Sequence, residues 1–234
     1  LLDLSQEEQQ AILLTLGVAF RAVGIGLPMA VATAFILARG RFPGRSVLNA
    51  LVHLPLVLPP VVTGWLLLIV FGIQGPLGAI LWRVFHARLA FTEAGASLAC
   101  AVMSFPIMVR SVRLALEAVD PRLEQAARTL GAGFFDRLTS ITLPLAAPGV
   151  LMAAILGYTA CLGEFGAVIT FAANIPGQTQ TLPLAIFAAL EEPGGEAEAA
   201  RLAVFSIVLA LGGLILSEAV ASRIGTRAQR GLGG

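Results

Sequence analysis

Glu164 is the one acidic side chain set deep inside an apolar run of this chain, within Gly163-Glu164-Phe165-Gly166. Ionising a carboxylate there is costly, so it must face a partner or a cavity. Two readings stand together: a link to a neighbouring helix, and a place on a pathway. The flanking glycines favour close helix approach or a hinge. The other residues able to do chemistry are sparse. There is no lysine, so no G-x-x-x-x-G-K-[ST] loop can hold the β- and γ-phosphates of a nucleotide. H-E-x-x-H, G-x-S-x-G and paired intramembrane acids are absent too. His53 and His86 stand alone, and a polar contact is a commoner fate for such residues than metal ligation. Cys100 and Cys161 lie inside apolar runs and read as small core hydrophobes. No catalytic residue, metal or cofactor is expected.

A second stretch, His53 through Gly64, packs Pro55, Pro59 and Pro60 into six residues. Each proline removes a backbone donor and bends a helix. The freed carbonyls are tolerated in a membrane only where protein or a water-filled cavity satisfies them. A structural kink and a pathway element are both open readings.

The third stretch is a polar break of about thirty residues between long apolar runs. Asp120 suits an N-cap and Pro121 the first helical position. Leu123, Ala126, Ala127 and Leu130 then follow at helical spacing as a narrow apolar stripe. Gly131 stands where a left-handed residue would stop the helix. A second amphipathic turn carries Phe134, Leu138 and Ile141, and Pro144 should end it. The expected unit is a small helix–turn–helix plug.

The elements that hold these stretches are membrane spans. Hydrophobic residues make up 57% of the 234 and charged residues 12%, with a mean hydropathy of +0.89, outside the range of soluble domains. A net charge of +1 without a basic cluster points away from nucleic acid. A bilayer core needs roughly 20 apolar helical residues. Five runs supply them, at about 11–38, 47–72, 94–116, 146–172 and 202–222. A sixth is possible only by splitting a long run. The overlong first and fourth runs imply tilt, a kink or an interfacial extension. With the span proper beginning near residue 20, Arg21 snorkels to the outer interface, and 181–190, too short to span, reads as a re-entrant or interfacial helix. The acidic start (Asp3, Glu7, Glu8) lacks the basic region of a cleaved signal peptide, so the first run is expected to be retained as a span.

Arginine sets the orientation. Arg39, Arg41 and Arg45 follow the first span, Arg110, Arg113, Arg122, Arg128 and Arg137 surround the plug, and Arg223, Arg227 and Arg230 close the chain. They alternate with the acidic N-terminus, the mixed 73–93 loop and the Glu191, Glu192, Glu196, Glu198 cluster. The positive-inside rule then puts the N-terminus outside and the C-terminus and plug in the cytoplasm.

The frame from Ala126-Ala127 through Gly131 to Ile141-Thr142-Leu143-Pro144 resembles the "EAA…G…I.LP" signature of bacterial ABC importer permeases. There the segment is a coupling helix that docks on the cytoplasmic ATPase. The docking set implied here is Leu123, Glu124, Gln125, Ala126, Ala127, Leu130, Gly131, Ile141, Leu143 and Pro144. One departure stands out: the family's Glu position holds Gln125, with Glu124 one residue earlier. Leu54 through Val62, Gly163 through Ala167, Asn174-Ile175-Pro176-Gly177 through Leu184, and Glu191-Glu192-Pro193-Gly194-Gly195-Glu196 together resemble the molybdate branch of that family. Sulfate permeases share the Gly-Glu-Phe-Gly element and the plug.

The resemblance implies an all-α, polytopic bundle of the type I ABC importer permease fold. The whole of 1–234 would be one transmembrane permease domain, with 117–147 as its cytoplasmic coupling loop. It implies a homodimer in the bacterial cytoplasmic (inner) membrane, two ATP-binding subunits that hold the nucleotide, and an external oxyanion-binding protein. Pro55, Pro59, Pro60, Gly163, Glu164 and Gly166 are the expected pathway or gate residues. A negative Glu164 would repel an oxyanion, so its expected role is to pair with a helix donor and fix the gate. Sulfate, thiosulfate or tungstate are the alternative cargoes. The rival from another class is an ion-coupled secondary transporter. Such folds show internal repeats and several intramembrane ionisable groups, whereas no repeat is visible here and only Glu164 lies deep.

Overall fold

Ser, Thr, Asp, Pro and Gly punctuate this chain where helices must start and stop, and the computed structural model follows them through residues 4–231. Side chains are described for those residues except 217 and 220–231. Arg223, Arg227 and Arg230 of the orientation argument, and Asp3, therefore lie outside the description. Helix α1 (Gln6–Arg39) opens on a capping box. The Glu8 N–H donates to Ser5 Oγ at 3.1 Å, and the Ser5 N–H to Glu8 Oε2 at 2.7 Å. Helix α2 (Arg45–Val57) ends at Leu58, because the residue before Pro59 is pushed out of the helical region. Pro60 then opens α3 (Pro60–Phe71) in the first-turn position that needs no N–H. A short α4 (Pro76–Phe85) leads to α5 (Glu93–Ala118), whose Gly95 N–H donates to the Thr92 hydroxyl at 3.1 Å.

Helices α6 (Pro121–Thr129) and α7 (Phe134–Arg137) form the polar hairpin. The chain continues through a π-helical turn, Leu138–Thr142, into α8 (Leu143–Leu162). Helices α9 (Gly166–Ala172), α10 (Leu182–Glu191) and α11 (Glu196–Gly231) complete the described chain, which contains no strand.

The centre is a packing of α1, α5 and α8 through small residues. Ala19, Ala22, Ala30 and Ala34 of α1, Ala96 and Ala99 of α5, and Ala146 and Ala153 of α8 are all fully buried. Small side chains let backbones approach, which replaces the hydrophobic drive that lipid cannot provide. Met108 fills the space this leaves. A Cβ on Gly26 would come within 2.8 Å of its Cε, and one on Gly157 within 2.7 Å of its Sδ. Ala11, Leu182, Ala185 and Leu202 tie α1, α10 and α11 together near the N-terminal end. There the Leu182 N–H donates to Thr15 Oγ1 at 2.7 Å, and Arg201 Nη2 to the buried Glu8 at 3.0 Å. Large apolar side chains such as Phe20, Leu214 and Ile215 face outward, as they do toward lipid.

Among the described residues four helices are long and apolar enough to span a bilayer: Gln6–Arg39, Glu93–Ala118, Phe134–Leu162 and Glu196–Leu216. The fifth expected span is not a straight helix but α2 and α3, bent by 116° at Leu58–Pro59. The expected run 146–172 is also corrected. It breaks at Gly163–Phe165, so Glu164 lies between α8 and α9 and not within a continuous helix. Pro144 does not end the plug's second helix, because it sits in the first turn of α8, where a proline is tolerated. Arg21 meets Glu93 at the start of α5 in an ion pair.

Candidate functional site

The plug is built as a cap, a turn and a second cap. Asp120 Oδ1 accepts from the Arg122 N–H at 2.9 Å, and Pro121 occupies the first turn. At the far end Gly131 adopts φ +86°. The Gly131 N–H donates to the Arg128 carbonyl at 3.1 Å and the Ala132 N–H to Ala127 at 3.0 Å, the paired bonds of a Schellman stop. The Gly133 N–H then donates to Asp136 Oδ2 at 3.2 Å and starts α7.

No residue of α6 or α7 is buried. Leu123 is 47%, Leu130 88% and Phe135 75% exposed, with Gln125 and Ala126 on the open side as well. The open side of the polar hairpin thus carries an apolar rim. Ala127, Ile141 and Leu143 are half-buried, and Pro144 is exposed where α8 begins.

Glu124 departs from the rest of that set. Its Oε1 accepts from Arg39 Nη2 at 2.8 Å and from the Thr142 hydroxyl at 2.9 Å, so the carboxylate turns toward the body of the protein. Arg39 also donates to the Leu116 carbonyl at 3.2 Å. Phe134 packs edge-on against Phe35 of α1, with ring centroids 5.9 Å apart. Arg39, Phe35 and Thr142 were not in the expected site. The one signal for them was the acid displaced by one position from where a partner-facing Glu would stand.

The proline-rich stretch and the Gly-Glu-Phe-Gly stretch are brought together. A Cβ on Gly166 would lie 2.7 Å from Pro60 Cβ and 3.2 Å from the Val61 nitrogen. One on Gly64 would lie 2.7 Å from the Ala167 carbonyl oxygen. The starts of α3 and α9 thus pack backbone to backbone. Glu164 Oε1 accepts from the Ala167 N–H at 2.9 Å, a helix donor of the kind expected for it. Gly163 faces open space, and Pro55 lies inside α2 away from this contact.

The remaining reactive side chains are engaged in packing. His53 Nδ1 lies 2.8 Å from the Asn49 carbonyl, while Arg113 donates to the Asn49 side chain at 3.0 Å. The Cys100 and Cys161 thiols are buried against each other's carbonyls, at 3.9 and 3.6 Å. No group of three or more His, Cys, Asp or Glu able to hold a metal occurs among the described residues.

Residues 23–226 match the family described as binding-protein-dependent transport system inner membrane component. The chain is 51% identical over 227 residues to the molybdenum transport system permease protein ModB of Escherichia coli (strain K12), covering 97% of this chain and 99% of that one. It is 39% identical over 196 residues to the sulfate transport system permease protein CysT of the same organism, covering 83% and 69%. Among solved structures it resembles a chain of a bacterial alginate ABC transporter in complex with an alginate pentasaccharide-bound periplasmic protein. That match has a TM-score of 0.74 and 18% identity, and covers 94% of this chain and 80% of that one.

Proposed function

The chain belongs to the binding-protein-dependent transport system inner membrane component family, and on that premise we propose that it is the permease subunit of an ATP-driven molybdate importer. The observation that carries the cargo is a margin: 51% identity over nearly the whole chain to a molybdenum permease, against 39% over less of it to a sulfate permease. Sulfate is the second reading, because that relative shares the same scaffold and both cargoes are tetrahedral dianions.

The assembly in this reading is two copies of the chain, two cytoplasmic ATP-binding subunits and an external oxyanion-binding protein. The nucleotide sits in the partner subunits, and this chain needs no cofactor. The exposed rim of Leu123, Gln125, Ala126, Leu130 and Phe135 supports docking on the ATPase. The membrane is the bacterial cytoplasmic membrane, with the N-terminus outside and the C-terminus inside. Support comes from arginines gathered at the plug and acids at the opposite loops.

Transport proceeds by alternating access. ATP binding closes the ATPase dimer, draws the two plugs together and turns the pathway outward; hydrolysis reverses the motion. A site fed by a binding protein holds its anion weakly, since conduction requires release. The α3–α9 contact beside Glu164 is the gate in this scheme. The test is uptake of labelled molybdate at nanomolar concentration, in cells lacking their own system, with sulfate in large excess. Uptake that survives sulfate supports the molybdate reading; uptake abolished by sulfate moves the cargo to sulfate.

A further inference from the structure

Phe35 and Arg39 stand one turn apart on one face of α1, and each grips a different half of the plug. Phe35 meets Phe134 of α7, while Arg39 meets Glu124 of α6. The same Glu124 oxygen accepts a hydrogen bond from the hydroxyl of Thr142, which lies buried in the π-helical turn leading into α8. Arg39 spends its second contact on the carbonyl of Leu116, near the end of α5. Glu124 Oε1 therefore joins α6 directly to α1 and to the turn that leads into α8, and through Arg39 to α5. No residue of α6, Glu124 included, is fully buried.

We infer that Glu124 is a positioning residue, the strut that passes a push on the plug into α1, α5 and α8. This rests on the importer reading above. Motion of the plug reaches the bundle only if the two move as one body. Two donors converging on one ionised oxygen give a short, directional link. The ion pair is half-exposed, with side-chain exposures of 25% and 27%, so its contribution to overall stability is small and its geometric one is not. The π-helical turn is a feature that recurs at functional sites. Here the Leu143 N–H bonds back to the Leu138 carbonyl, and Thr142 lies within this turn. The ATPase-facing role falls instead to Gln125 and the apolar rim.

The experiment reconstitutes the full complex in proteoliposomes and measures molybdate imported per ATP hydrolysed, with copurification of the ATPase subunit as a second readout. Glu124→Gln is expected to keep the ATPase and its hydrolysis while imports per ATP fall about tenfold, within the usual range of a coupling between sites. The exchange Arg39→Glu with Glu124→Arg remakes the pair, though not the bond to the Leu116 carbonyl, and is expected to recover part of the ratio. An unchanged ratio in Glu124→Gln overturns the inference. So does loss of the ATPase subunit, which would make Glu124 a docking contact. So does a folding defect that the exchange leaves uncorrected. A wild-type complex that imports sulfate in place of molybdate would overturn only the cargo, and the ratio would then be read with sulfate.

Discussion

Gly166 meets Pro60 so closely that a Cβ on the glycine would lie 2.7 Å from the proline's own Cβ. More than a hundred residues separate them in sequence, yet each is the first residue of a short helix, α9 and α3. Gly64 repeats the close approach one turn along α3, against the carbonyl of Ala167. Two breaks in otherwise spanning runs are therefore one structural feature.

Side-chain bulk at this contact should be costly. Gly64→Ala places a methyl against backbone that cannot turn aside, for a loss of about 1–3 kcal/mol. Gly163→Ala, facing open space, should stay within about 0.5 kcal/mol of wild type. Thermal unfolding in detergent compares them, and equal melting of the two variants would contradict the close-packed contact.

At Gly131 the strain is purely conformational. Nothing lies within 4 Å of a Cβ there, but φ is +86°, which costs an ordinary residue about 1–2 kcal/mol. Gly131→Val should spoil the turn and uncouple hydrolysis from uptake or prevent assembly, whereas Gly131→Asn should retain more function. Wild-type uptake from the valine variant would count against coupling through the plug.

Glu164 Oε1 accepts a hydrogen bond from the Ala167 N–H. Glu164→Ala removes that hydrogen bond, at about 1 kcal/mol. Glu164→Gln keeps an acceptor, though a weaker one. Uptake should therefore fall in the order Glu, Gln, Ala. Three equal rates would remove Glu164 from the proposed gate.

Glu8 has a side chain only 1% exposed and relies on Arg201. Arg201→Ala leaves that buried carboxylate with only the Ser5 N–H as a partner, for a loss of about 3 kcal/mol. This is the lower end for buried pairs, because Arg201 is itself 33% exposed. Adding Glu8→Gln should recover part of the loss. The yield of folded protein after detergent extraction reads both effects, and no recovery would contradict the pairing.

The plug was legible from local rules alone. Asp120, Pro121 and Gly131 act within a few residues of themselves, and cap and turn chemistry predicts them directly. Pro144 misled, because a proline ends a helix only when it is past the first turn, and here α8 starts one residue before it. Pro55, Pro59 and Pro60 predict a bend in this stretch, but not its angle of 116° nor the close approach of α9 to α3 beside it, which no local pattern carries. The resemblance to the family signature places Glu124 in the docking set. Its true direction is set by Arg39, eighty-five residues away in sequence. Long-range partners of this sort leave no periodicity to read.

The most direct measurement is molybdate accumulation in proteoliposomes holding this chain with its ATPase subunits, with the binding protein outside. Accumulation should require ATP at the ATPase face and should ignore imposed proton or sodium gradients. Accumulation driven by such a gradient, by this chain without ATPase subunits, would contradict the account and make the protein a secondary carrier.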